Sequence, residues 1–567
     1  MATGKKSNTR QRAARNLVIL GVILILVNIL AYNFHIQADL TTDKRYSTTR
    51  ATEHLVSNLE QPVHITVFLT GRNVPAAFQR LAKSTQDVLL NFKKISKHKI
   101  DVVTVDPNGD DTTVLRTLRD FGMEGVIATI DAGKQGTQQK MIFPWVLVEN
   151  VQTGAAIPVF IQETNAPQLS RTVLNKSEML LEYNIANAIS QVTKKERETV
   201  VFLTGNGEDL GYNYMSAIGH LANYYLIDTL NLKMAGHIPP EINTLIISSP
   251  YEAFSEVEKY KLDQYLMRGG NIFMLLNQAT GSLDSFRQGN GKYNVLPVDL
   301  NLSDLLFDYG VRINPNVLAD GAEYEMIPLS KSGRKEESML YPWIYFPVLS
   351  GNADHPVTKN LDGVLGRFVS SIDVLDQNDE IEKTVLLSTS RYTKKLSLPL
   401  SLSLFDAVIE FNIAEFNASH IPVAVLLEGN FRSHYADRQP AEVQAYIQQS
   451  GQQPLTGSGG KGKLIVVSDG DVIYNDIVSQ GPLDLGQYIY GGYRYDNKSF
   501  LLNAVEYLSN EHHLLEARNK SFSNRILDPQ RVKQERARWQ LVNIGVPVIM
   551  ILLLGGIWGF VRKKRYA

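Results

Sequence analysis

Hydrophobic positions fall into two regimes along this chain. Residues 17–34 and 541–561 are apolar around the whole helical circumference. The first run is roughly 27 Å long as a helix, and the second also suffices to cross a hydrocarbon core. Between them, apolar residues follow the shorter periods of half-buried strands and helices. After a linking stretch, a helix is predicted over 47–59, then an alternating β-branched strand over 62–70. Next comes an amphipathic helix over 74–96, with Ala77, Leu81, Val88, Phe92 and Ile95 on one face. Strand 100–105, a turn at Asp106-Pro107-Asn108-Gly109 and helix 112–121 follow. Strands over 125–130, 141–148 and 156–160 and a helix over 176–192 complete the unit. Its βαβαββ(β)α order predicts a thioredoxin-like sheet.

A charged joint, Lys194-Lys195-Glu196-Arg197-Glu198, precedes a second α/β unit. Its pattern predicts strand 199–204, helix 213–224, strand 244–248, helix 255–268 stopped by Gly269-Gly270, and strand 271–276. Near-continuous apolar strands follow at 384–388, 423–427 and 463–467, as expected of strands buried on both faces. The alternation predicts a mostly parallel, doubly wound, flavodoxin-like sheet. Leu396, Leu398, Leu400, Leu402 and Leu404 alternate with smaller residues, which suits an edge strand or hairpin with one covered face. Asp528-Pro529 opens a charged helix over 527–540 that leads into the second apolar run as a continuous stalk, where Pro547 predicts a kink.

Charge sets the orientation. Lys5, Lys6, Arg10, Arg12 and Arg15 precede the first run, and Arg562, Lys563, Lys564 and Arg565 follow the second. Basic flanks stay on the cytoplasmic side, so both termini are expected inside and the body outside. A cleaved signal peptide is the alternative for the first run, but no clear small-x-small site follows it. The expected organisation is a basic tail (1–16), a span (17–34), two exterior α/β domains (35–195 and 196–526), a stalk (527–540), a second span (541–561) and a basic tail (562–567). Removing the nine terminal charges leaves 48 basic against 58 acidic residues, a net of −10, which argues against nucleic acid as a partner.

The 567 residues include no Cys, which excludes disulfides, thiolate-held metals and a cysteine nucleophile. Gly457 to Leu464 approaches a phosphate-binding loop, but Leu464 stands where Ser or Thr would hold magnesium, and a strand rather than a helix follows. There is no HExxH, and the adjacent His512 and His513 are poorly placed to share a metal. No catalytic residue, cofactor or metal site is therefore expected.

Open α/β sheets bind ligands beyond the carboxyl ends of their strands. Three loops qualify: Asn206, Glu208 and Asp209 in the first, Ser249 and Tyr251 in the second, and Asp469, Asp471 and Asn475 in the third. The competing reading is that these are turn residues and helix caps. Tyr341, Trp343 and Tyr345 lie in the densest aromatic stretch, which suits either contact with a sugar or protein partner or a buried core.

Several longer stretches carry a family resemblance. DLTTDKRYSTTRAT after the first apolar run, TGNGED, SPYEAFSEVEKYKLDQYLMRGGNIFMLL, YPWIYFPVLSGNADHPVTKNLDGV, VVSDGDVIYND and DNKSFLLNAVEYL resemble the auxiliary subunit of the gliding-motility ABC transporter, the GldG family, as does the RILDPQRV run into the last span. The resemblance covers nearly the whole chain from Asp39 onward. It implies a glutamine-amidotransferase-like fold, a cytoplasmic ATPase and a multi-spanning permease as partners, and a link to gliding or type IX secretion in Bacteroidota-type bacteria. It carries over no catalytic residue, and the family often has His where this chain has Asn206. It implies a non-catalytic, substrate-binding-like subunit. The alternative from the residues alone is an envelope hydrolase acting on glycans through Glu208, Asp209, Asp469 or Asp471, whose carboxylates would have to flank a cleft. A purely structural scaffold is a third reading.

Overall fold

The computed structural model describes residues 15–22, 47–70, 74–107, 112–131, 137–162, 171–194, 197–330, 338–376, 379–460, 462–490, 494–509, 517 and 529–566. Residues up to Lys520 form one compact unit and those from Ser521 onward a second.

The amino-terminal part is built on a four-stranded sheet in the order Ile100–Thr104, Val63–Val67, Trp145–Asn150, Ala156–Phe160. The first two strands are parallel and the remaining pairings antiparallel. The predicted strand over 141–148 is instead two strands, Thr137–Ile142 and Trp145–Asn150, parted at Phe143-Pro144. Pro144 has no N–H for a ladder, so the chain leaves one sheet and enters another there. Thr137–Ile142 pairs with Val126–Asp131 as a separate hairpin. The Ala76–Ile95 helix buries Phe78, Leu81, Thr85, Leu89 and Phe92. Ala77, Val88 and Ile95 only flank that core, so the buried stripe is centred beside the expected one. The Arg171–Thr193 helix completes the same core through Leu181, Ile185 and Ile189. It also reaches the larger sheet's side of the unit, where Lys176 pairs with Asp362 and Asp496 and the Tyr183 hydroxyl bonds Glu506.

The larger sheet has ten strands. Five are parallel, in the order Leu226–Asn231, Thr199–Thr204, Thr244–Ser248, Asn271–Leu275, Lys463–Val467. Their side chains alternate between two cores. Phe202, Ile246, Phe273 and Ile465 face one side, with the Met215–Ala222 and Asn497–Ser509 helices. Leu203, Ile247, Met274 and Val466 face the other, with the Glu256–Met267 and Ser303–Tyr309 helices. That half is wound on both faces as expected.

The other half corrects the expectation. Pro422–Gly429, Ile381–Ser388, Ser338–Gly351 and Tyr324–Ser330 extend the sheet antiparallel, and the short Val364–Leu365 pairs beside Ser338–Gly351, so the sheet is mixed rather than mostly parallel. Burial on both faces makes parallel and antiparallel interior strands read alike, and direction is set by connections of long range. The leucine alternation forms two strands, Thr393–Ser397 and Leu400–Ser403. They do not form a hairpin with each other: one pairs with Asn316–Asp320, the other with Lys292–Val295.

In the second unit, Pro529–Tyr566 is a single helix, so residues 529–540 of the predicted stalk run continuously into the second span, while residues 527 and 528 lie outside the described residues. Within it, Arg538–Lys564 is long and apolar enough to cross a membrane. Of the first predicted span, residues 17–22 are helical, in a helix that begins at residue 15, and the remainder, 23–34, lies outside the described residues, as do Asn108, Gly109 and the joint at Lys195-Glu196.

Candidate functional site

The first loop turns at Gly205 and Gly207, whose φ values of 118° and 88° are open to glycine and strained for other residues. Asn206 between them is fully buried. Its N–H donates to Glu208 Oε2 (2.7 Å), and its carbonyl accepts from Tyr251 N (3.0 Å) and Glu252 N (2.9 Å). These bonds stitch the first loop to the second. Tyr251 is exposed, with its ring over Gly207, where a Cβ would lie 2.6 Å from the ring. Burial pushes the Glu208 carboxyl up, and the charge of Glu258 adds to this against backbone hydrogen bonds and Lys233. Asp209 is exposed and accepts from Gly211 N at 3.1 Å, a local turn.

At the second loop Ser249 adopts φ 47°, an unusual conformation for a residue with a side chain. The Tyr214 hydroxyl donates to Ser249 Oγ (3.1 Å) and accepts from Ser248 Oγ (3.2 Å). Burial pushes that phenol up to about 12. Asn277 joins the second loop to the third, donating to Ser249 Oγ at 3.5 Å and accepting from Gly470 N at 2.6 Å.

The third loop is occupied by its own hydrogen bonds. Asp469 is fully buried, Oδ1 accepting from Asp471 N (2.8 Å) and Oδ2 from Arg367 N (2.7 Å). It caps the short 3-10 turn Gly470–Ile473. Burial raises the Asp469 carboxyl well above its usual range, and Asp471 reinforces the shift. Burial raises Asp471 as well, opposed by the Arg367 charge. Arg367 pairs with Asp476 at 2.8 Å and lies over the rings of Phe346 and Tyr474. Asn475 is buried; its Oδ1 accepts from Ser216 N (3.1 Å) and its Nδ2 donates to Tyr212 O (3.2 Å). It anchors the loop to the start of the Met215–Ala222 helix.

The three loops thus converge. Asp469, Asp209 and Asn475 make the capping and turn contacts of the simpler reading. Sequence reasoning missed Tyr214, Asn277, Arg367 and Glu258. Only Glu258 carried a signal: Ser255 and Glu258 form a capping box, legible as S-x-x-E before an apolar run.

The aromatic stretch is core rather than surface. Trp343 and Tyr345 are buried and meet edge to face at 4.9 Å, and Trp343 packs likewise on Phe286. Tyr341 is half-buried opposite Ile327. Buried rings offer no face to a partner. An open concavity of about 540 Å³, lined by Asp379, Glu380, Glu382, Glu428 and Gly429, lies at the opposite end of the sheet, where Glu428 pairs with Lys463 at the start of its strand. Among the described residues, no group of three or more His, Asp or Glu is placed to hold a metal.

Residues 42–149 match a domain of unknown function, DUF7088, which spans most of the amino-terminal sheet. An uncharacterized protein of Borreliella burgdorferi is 21% identical over 586 residues, covering 99% of each chain. A solved structure, the mmIFT52 N-terminal domain, is 15% identical, covers 56% of this chain and 99% of its own, and has a TM-score of 0.32, too low to carry an argument. Residues 197–504 match the family described as an ABC-type uncharacterized transport system, from just before the Thr199–Thr204 strand into the Asn497–Ser509 helix. That match takes in more than half of the chain, including all three strand-end loops, and the chain belongs to this ABC-transport auxiliary family.

Proposed function

We propose that the protein is a non-catalytic auxiliary subunit of a bacterial ABC transporter, its body held outside the inner membrane and both termini in the cytoplasm. A separate permease and a cytoplasmic ATPase are its partners. The observation that carries this reading is the family match over 197–504. The apolar Arg538–Lys564 segment supports anchoring, and the nine basic residues flanking the two apolar runs support the orientation. The engagement of Asp469 by two backbone donors supports a role without acid–base chemistry. In this reading the amino-terminal sheet is a thioredoxin-like domain and the larger sheet a second domain, whose strand-end loops, with Asn206, Glu208, Tyr251 and Asp471, meet a ligand or partner. The link to gliding motility or type IX secretion rests on the resemblance of the quoted sequence stretches.

Affinity purification from gently solubilised membranes tests it. An ATPase and a permease should copurify in fixed ratio. Recovery of the chain alone, with its body facing the cytosol in a protease-protection assay, would refute the proposal.

A further inference from the structure

Three oxygen atoms beside the first loop are buried and make no hydrogen bond: Asn206 Oδ1, Glu208 Oε1 and Glu258 Oε1. Asn206 is fully buried and Glu258 only 4% exposed. The three residues are contiguous. Asn206 donates its N–H to Glu208 Oε2 at 2.7 Å, and its Nδ2 lies 3.5 Å from Glu258 Oε2. Asn206 therefore sits between the two carboxylates. The second oxygen of each acid is already engaged, that of Glu208 by Asn206 N and that of Glu258 by Ser255 N and Oγ at 2.7 Å.

An unpaired buried acceptor is costly, and here three belong to residues that Asn206 links by hydrogen bonds, two of them acids. Only a proton-donating or cationic group answers acceptors alone. The start of the Glu256–Met267 helix does not supply one, since its capping box already engages Ser255 and Glu258 with each other. Lys233, whose charge reaches both acids, is tied to Glu252 at 2.6 Å, and Lys261 donates to the carbonyls of Leu232 and Ala235. Two carboxylate oxygens and an amide oxygen are the donor set of a hard divalent cation, which completes its shell with water.

We propose that Asn206 Oδ1, Glu208 Oε1 and Glu258 Oε1 bind a hard divalent cation, Ca²⁺ or Mg²⁺, at the junction of the first two strand-end loops. The site is independent of the transporter reading and revises the expectation of no metal. Binding would clamp the Gly205–Gly207 turn to the Glu256–Met267 helix and neutralise two acids, Glu208 half-buried and Glu258 buried.

The test uses the full chain in detergent, stripped with a chelator and titrated with Tb³⁺, whose emission the Tyr251 ring over Gly207 is placed to sensitise. Ca²⁺ and Mg²⁺ then compete, and the midpoints distinguish the two. The expected affinity is on the order of 10⁻⁴–10⁻³ M, as for extracellular calcium modules. Glu208→Gln keeps an acceptor for Asn206 N, so the fold is retained, as circular dichroism would verify, and affinity should fall at least about tenfold. Absence of saturable emission and of any thermal shift up to roughly 10 mM of either cation, well above that range, would overturn the proposal. So would a folded Glu208→Gln variant with wild-type affinity.

Discussion

Replacing Asp469 by Ala separates a structural carboxylate from a working one. The wild-type side chain is fully buried and supplies the acceptors for Asp471 N and Arg367 N. Alanine leaves both N–H groups without a partner, and each costs about 1–3 kcal/mol. The loss is partly offset because repulsion between Asp469 and Asp471 disappears. The net expectation is therefore roughly 2–4 kcal/mol, a large share of the ~5–15 kcal/mol of an ordinary domain. Asn, which keeps one acceptor and removes the charge, should lose about half as much. Urea unfolding of the detergent-solubilised chain, followed by the fluorescence of buried Trp343, measures both. The sign with pH is a further check. The Asp469 carboxyl is raised by burial, so its linkage favours the folded state most below the ordinary aspartate value and is lost as pH rises through the folded value. The gap between wild type and Ala should therefore widen as pH is lowered from 7 toward 4. An Ala variant within about 1 kcal/mol of wild type would refute the capping account, and one that is more stable would mark Asp469 as a functional residue kept at the expense of stability.

The opposite sign is expected at Asp484. Burial works against its charge, but the His220 hydrogen bond and the charges of Lys498 and Arg494 prevail and hold its carboxyl far below the usual range. Asp484→Asn should destabilise the protein at pH 7, with a penalty that shrinks as pH falls below about 4, read from thermal midpoints across a pH series. A Cβ at Gly470 would land on Ser249 Oγ and 3.1 Å from its Cα, so Gly470→Ala should cost about 1–3 kcal/mol. Gly236→Ala, with nothing within 4 Å of the added carbon, should be near neutral in the same unfolding assay. Leu552→Lys places a charge near the middle of Arg538–Lys564 and should weaken membrane insertion by about 3–4 kcal/mol, measured with an insertion reporter.

Elements whose partners lie nearby in the chain were legible in the sequence. The Thr244–Ser248 strand carries its burial in an unbroken apolar run, and the Glu256–Met267 helix is bounded by Ser255 with Glu258 and by Gly269. The apolar Arg538–Lys564 segment needs only its own composition. Strand direction was not legible, because Val423 to Leu427 is equally apolar whether its neighbour runs with it or against it. The Leu226–Asn231 strand escaped notice for the converse reason: at the edge of the sheet it is largely exposed and lacks a hydrophobic signature.

The loops show the same division. That Asn206, Glu208, Ser249 and Asp469 stand at strand ends followed from the order of apolar runs and glycines. What these loop residues do depends on groups 28 or more residues away: Glu258 beside Asn206, Asn277 on Gly470 and Ser249, and the Arg367 N–H on Asp469. The sequence alone determined the strand and helix periods, the glycine turns and the apolar ends, because these depend on local sterics and on which residues avoid water. Tertiary structure alone decided which buried polar atoms are satisfied and which are left open, because hydrogen-bond partners are chosen by proximity in space after the chain has folded.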